Sequence, residues 1–210
     1  MIKLSIALFF FFYVGVECGY GGWISTYVLE KKVTDSSSDA AFTSAIFWGS
    51  LTVGRVMAII FALFMKGHTM LKIQLGLSAV GCVLITTISP LSYVNSCIAS
   101  AVLGYALSSI FPLAMTLCGE LGFHQSDRCT TLFIIGACIG EGGIPAIMGV
   151  LIGNLGSDYL PFSVIFCTIL MFILYGLVIL IAPYYYINNS IEKGIEIKEI
   201  TIVEKEMQNS

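Results

Sequence analysis

The stretch Tyr13–Tyr27, YVGVECGYGGWISTY, decides how the chain is read. It lies inside an apolar run otherwise long enough to cross a bilayer, yet it carries a carboxylate, Glu17, where hydrocarbon would be expected. Gly15, Gly19, Gly21 and Gly22 crowd around that charge, and Trp23 follows. Glycine weakens a helix and a charge at mid-membrane is costly, so the stretch reads as a site rather than as plain wall.

Outward from this stretch the chain stays apolar. It is 57% hydrophobic and only 11% charged, against about 25% charged in a soluble domain. Its mean hydropathy of +0.93 places most of it in lipid. A spanning helix needs about 20 mostly apolar residues. Six such runs occur, at about 4–28, 40–65, 70–88, 93–118, 130–152 and 160–181, separated by the polar breaks EKKVTDSSSD, KGHT, SPLS, GELGFHQSDR and GNLGSDY. The expected fold is an all-α membrane protein: a six-helix transmembrane domain over 1–182 and a disordered tail over 183–210.

The first run has to be weighed against a secretory leader, because Lys3 followed by LSIALFFFFYVGV resembles a basic and an apolar leader region. Glu17 interrupts the place of a small-residue cleavage motif and the apolar character resumes after it, so the run reads as a first membrane crossing. With six spans both termini share a side. Lys3, Lys66, Lys72, Arg128, Lys193, Lys198 and Lys205 fall on that side and only Lys31 and Lys32 on the other. The positive-inside rule then places both termini in the cytosol, with the plasma membrane as the expected location.

Several function classes are disfavoured. No basic patch with interleaved aromatics suggests nucleic acid, and no hydrolase, kinase or metalloprotease motif suggests an enzyme. The seven cysteines lack a C-x-x-C pair and nearly all sit in apolar runs, as small packing residues do. His68 and His124 have no ligand partner at metal spacing, so no metal is expected.

The runs fall into two sets of three. The second run holds Phe47-Trp48-Gly49 and then Gly54-Arg55; the fifth holds Ile134-Ile135-Gly136 and then Gly140-Glu141. The first and fourth both carry glycine and small polar residues at mid-span. Odd-numbered triplets run in opposite senses across the membrane, which makes a 3+3 inverted repeat of the kind that builds transporters around a midplane site.

Three charges lie deep within spans: Glu17, Arg55 and Glu141. At a rise of about 1.5 Å per residue they sit ~20, ~16 and ~20 Å from the cytosolic end, one slab near the middle of a core about 30 Å thick. The expected arrangement pairs Arg55 with Glu141, as an ion-coupling element or as simple neutralisation, and leaves Glu17 without a basic partner. Desolvation disfavours the charged form of a carboxyl group, so these carboxylates are candidates to take up a coupling proton, and a sodium ion could serve the same end. Ser44, Trp48, Thr52 and Arg55 share one helical face. Trp23, Trp48 and Tyr105 are candidates to stack on a solute ring, with Glu17 as its carboxylate contact; membrane-belt or packing roles are the alternative. Gly15/Gly19, Gly136/Gly140 and Gly149/Gly153 read as close-packing pairs, and Pro112 and Pro145 as kinks.

Taken together, YVGVECGYGGWISTYV, FWGSLTVGR, GYALSSIFPLAMTL and GACIGEGGIPAIMG resemble the second half of a major facilitator superfamily transporter. The resemblance is nearest to the fucose-permease-like branch that includes the sodium-dependent glucose transporter-like proteins, and it covers about residues 4–181. It implies helices seven to twelve of a twelve-helix fold, a hexose-type solute and alternating access, with the first and fourth runs lining the cavity and the second and fifth at the rocking interface. The KGHT loop is shorter than the superfamily's Gly-x-x-x-Asp-Arg-x-Gly-Arg motif and lacks its aspartate. A first six-helix half is absent, so the expected partner is that half or a second copy, with a non-transporting scaffold or regulatory half as the alternative.

Overall fold

The computed structural model describes residues 2–120 and 127–182. All regular structure among them is helical, in seven α-helices: α1 (Ile2–Glu30), α2 (Ser37–Phe61), α3 (Gly67–Thr87), α4 (Tyr93–Leu107), α5 (Ile110–Glu120), α6 (Asp127–Leu155) and α7 (Tyr159–Ala182). A short 3₁₀ turn, Ser89–Leu91, follows α3. The helices make six segments long and apolar enough to cross a membrane, the fourth being α4 and α5 together (Tyr93–Gly119). The expected tail over 183–210 lies outside the described residues.

Local chemistry sets the ends. Lys32 adopts a left-handed backbone (φ 53°) just past α1, where the Val33 N–H returns to the Val28 carbonyl. Ser36 caps α2, its Oγ accepting from the Asp39 N–H at 3.3 Å, while Thr34 donates to Asp39. Gly156 closes α6 at φ 101°, a conformation that favours glycine.

Packing follows the inverted repeat. The most extensive interface joins α1 to α6, and the next joins α2 to α4. Exchanging the two triplets turns the first-to-fifth contact into the fourth-to-second one, so these interfaces are symmetry counterparts. Burial repeats likewise: 61%, 22% and 39% of the apolar window for spans one to three, and 61%, 22% and 28% for spans four to six. The first and fourth spans are therefore the central ones, and the second and fifth show their faces most. Two apolar grooves complete the pattern, about 340 Å³ between spans one, five and six and about 230 Å³ between spans two, three and four.

Glycine makes the α1–α6 approach possible. A Cβ on Gly136 would stand 2.5 Å from the Ala7 carbonyl oxygen, and one on Gly140 would meet the Phe11 carbonyl. These are backbone atoms that cannot swing aside, so both glycines act in close helix packing. Gly149 also packs, against the Trp23 ring, whereas Gly153 faces open space.

Candidate functional site: a charge pair tied to an interrupted helix

Span four is one apolar run in sequence but two helices in structure. The ladder is interrupted at Ser108–Ser109, although Ser108 keeps helical angles (φ −53°, ψ −42°). Pro112 is the cause on one side. It has no N–H, so the Ser108 carbonyl loses the donor it would have four residues on. In a membrane such a group must find another partner, because no water is at hand.

Side chains from three other helices supply the partners. Arg55 of α2 donates from Nε to the Ser108 carbonyl at 3.0 Å. Gln74 of α3 accepts the Ser109 backbone N–H on Oε1 at 3.1 Å and donates from Nε2 to Ser108 Oγ at 3.3 Å. Tyr13 of α1 donates its hydroxyl to the Leu107 carbonyl at 2.9 Å. Gly54, one residue before Arg55, lies directly against the Ser108 side chain, and that closeness brings the guanidinium to the carbonyl.

The second edge of Arg55 carries the main electrostatic feature. Its Nη2 donates to Glu17 Oε1 at 2.9 Å. Glu17 is buried while the Arg55 side chain remains about half exposed. The expected partnership of Arg55 with Glu141 is therefore corrected: Arg55 pairs with Glu17, which is not left without a basic partner. Depth placed all three charges in one slab, but depth does not say which helix is the neighbour. Arg55 stands on α2, which packs on α1 as well as on α4. Glu141 belongs to α6 on the other side of α1, where it is exposed and close enough for its charge to act on Glu17. Arg55 is thus paired with one carboxylate, Glu17, while a second, Glu141, acts on that carboxylate by its charge alone.

The aromatic candidates occupy three different helix interfaces. Trp23 is half-buried between α1 and α6, donating Nε1–H to the Pro145 carbonyl at 2.9 Å. Trp48 lies on α2 with its ring against Gly21 of α1 and the edge of Phe47, and remains exposed on its other side. Tyr105 lines the groove between spans two, three and four, beside Gln74. Trp48, Thr52 and Arg55 do form an exposed stripe on α2. Ser44 instead donates to the Gly21 carbonyl at 2.7 Å.

Sequence reasoning passed over Gln74 and Tyr13. Gln74, an amide in the first half of α3, was the available signal in span three, since a buried amide demands partners. Tyr20, which bonds Ser100 Oγ at 2.8 Å, belongs to the same class.

Six apolar spans in two inverted triplets, with a buried carboxylate and its arginine partner paired across the first two of them, define a multi-pass integral membrane protein with the architecture of half a transporter. No family model matches the chain. It is 34% identical to sodium-dependent glucose transporter 1A of Mus musculus over 70% of its own length and 34% of the relative's. It is 30% identical to sodium-dependent glucose transporter 1 of Homo sapiens over 70% of its length and 28% of the relative's. Against major facilitator superfamily domain-containing protein 4A of Homo sapiens the identity is 30% over 79% of the chain and 32% of the relative. The chain belongs to the major facilitator superfamily, in its sodium-dependent glucose transporter-like branch. It spans about a third of the length of the curated relatives it matches.

Proposed function

We propose that the chain takes part in transmembrane transport of a small polar solute, a hexose-type sugar, by alternating access, as one half of a two-half transporter. The observation that carries this reading is the Glu17–Arg55 pair, a half-exposed ion pair at mid-depth beside the interrupted fourth span. Intramembrane charges of this kind mark solute and ion pathways. Relatives named as sodium-dependent glucose transporters favour the sugar and an ion-coupled symport. Glu17 is the carboxylate contact for solute or ion, and Trp48 and Tyr105 offer ring faces to the solute. Trp23 offers a ring face only, its N–H being committed to Pro145. Glu141, beside the pair, balances a coupling sodium ion or proton.

The second half packs on the open faces of spans two and five and is an amino-terminal six-helix unit of the family type or a second copy. Both termini lie in the cytosol and the protein resides in the plasma membrane. Uptake of labelled hexose into proteoliposomes or cells bearing the chain tests this. Glu17→Gln is expected to lower uptake at least tenfold at unchanged surface expression; unchanged uptake overturns the role of Glu17.

A second reading, a non-transporting scaffold or regulatory half that packs on a full-length relative, is supported by the open faces of spans two and five. Native mass in detergent separates the two readings. A strict monomer that binds no hexose supports the second, and a dimer that binds one supports the first.

A further inference from the structure

We propose that Arg55 and Gln74 are positioning residues that clamp a hinge at Ser108–Ser109, and that the charge of Glu17 holds the clamp shut through Arg55.

The geometry forms a continuous chain of contacts. Glu17 Oε1 accepts from Arg55 Nη2 at 2.9 Å, and Arg55 Nε donates to the Ser108 carbonyl at 3.0 Å. That carbonyl is the one Pro112 leaves without a helical donor. One planar guanidinium therefore joins a carboxylate on α1 to the weak point of span four, and its fixed fork lets both bonds form at once. On the far side of the hinge Gln74 holds the Ser109 N–H and the Ser108 hydroxyl from α3. Gln74 is buried, so these bonds have no water to replace them.

The groups bordering Glu17 are Tyr13 and Cys18 on its own helix, Arg55 from α2 and Glu141 from α6; Tyr105 and the Ser108 and Ser109 hydroxyls face this region from span four. Tyr13 also touches the hinge, through the Leu107 carbonyl. Of these groups Arg55 is the cation that bonds Glu17. Removing the carboxylate charge frees the guanidinium, which is half exposed and able to swing out. The Ser108 carbonyl is then left unpaired, and span four can bend at Ser108–Ser109. In the transport reading, on which this consequence rests, a cation or proton arriving at Glu17 would reach the cavity helix by this route. The clamp itself does not depend on that reading.

The test reads amide hydrogen exchange over residues 105–113 in the purified full chain in detergent, without solute. A failure here is therefore distinct from a failure of the transport reading. Gln74→Leu is expected to speed exchange of the Ser109 amide about tenfold, the effect of losing one hydrogen bond with little water to replace it. Glu17→Gln is expected to speed exchange over the same segment several-fold, although the substitution is on another helix. Arg55→Lys keeps the charge opposite Glu17 but has no second edge for Ser108, so it too should loosen the hinge. Thr52→Val, whose hydroxyl bonds only the Trp48 carbonyl of its own helix, should leave the segment unchanged. The proposal is overturned if Gln74→Leu leaves the Ser109 amide within twofold of wild type. It is overturned equally if either Arg55→Lys or Glu17→Gln leaves the segment there. Should Glu17→Gln not fold, Glu17→Asp, which is one methylene too short to keep the 2.9 Å contact with Arg55, decides the link to Glu17 in its place by the same readout.

Discussion

Arg55 Nη2 lies 2.9 Å from Glu17 Oε1, across the α1–α2 interface, and the two ends of this ion pair sit in unequal surroundings. The Glu17 side chain is 9% exposed and that of Arg55 is 54% exposed. Breaking a buried pair costs most when the charge left behind cannot reach a polar medium. Arg55→Ala strands the buried carboxylate and is expected to destabilise the chain by about 3 kcal/mol. Glu17→Ala leaves a half-exposed guanidinium that can turn out toward a polar medium, for a cost of about 1–2 kcal/mol. The double substitution should cost less than the sum, because the two groups share one interaction. Unfolding of the four proteins in mixed micelles measures all three quantities, and strict additivity would contradict the pairing.

The α1–α6 seam depends on two glycines that meet backbone. Gly140→Ala should cost about 1–3 kcal/mol, because the new methyl runs into the Phe11 carbonyl and the helices must part. Gly142→Ala, two positions on, meets nothing within 4 Å. It should be neutral or gain up to about 1 kcal/mol from helix propensity. Thermal midpoints of the two variants in one detergent make the comparison, and equal midpoints would show that the seam is looser than drawn.

The fold was legible because it rests on one variable, apolar run length, and the bilayer fixes that length. The inverted repeat was legible for a related reason: Gly54-Arg55 and Gly140-Glu141 recur at matched depth in oppositely directed helices. The ion-pair partner was not legible. Counting residues gives a position along the membrane normal, and Glu17, Arg55 and Glu141 are nearly equal in that coordinate. Which pair touches is decided by how each helix is turned and which neighbour it packs on, and that depends on contacts such as Gly54 against Ser108. Pro112 marked the irregularity of span four in advance, but its remedy came from Arg55, Gln74 and Tyr13, distant in sequence.

Trp23 can be separated into a structural and a solute-facing role. Its Nε1–H is bonded to the Pro145 carbonyl across the α1–α6 interface. Trp23→Phe keeps an aromatic ring but removes the donor, so stability should fall by about 1 kcal/mol. Hexose affinity, measured by thermal shift with and without sugar, should be held if the ring face is what the solute meets. A stability equal to wild type would mean that the bond to Pro145 contributes nothing.

The salt bridge between Lys31 and Asp158 offers the opposite case to Arg55 and Glu17. It ties the residue after α1 to the short connection between α6 and α7, and its side chains are 29% and 65% exposed. Water screens such a pair and its long lysine side chain loses freedom in forming it, so its net worth is small. Asp158→Asn should therefore cost no more than about 1 kcal/mol at low salt, and the cost should fade at 1 M salt, where screening acts within about 3 Å. The Arg55→Ala penalty should persist at the same salt, because Glu17 is removed from solvent. Unfolding midpoints of both variants across a salt series test the contrast. A Lys31–Asp158 contribution that survives high salt would show that this connection is shielded from solvent by something seated over it.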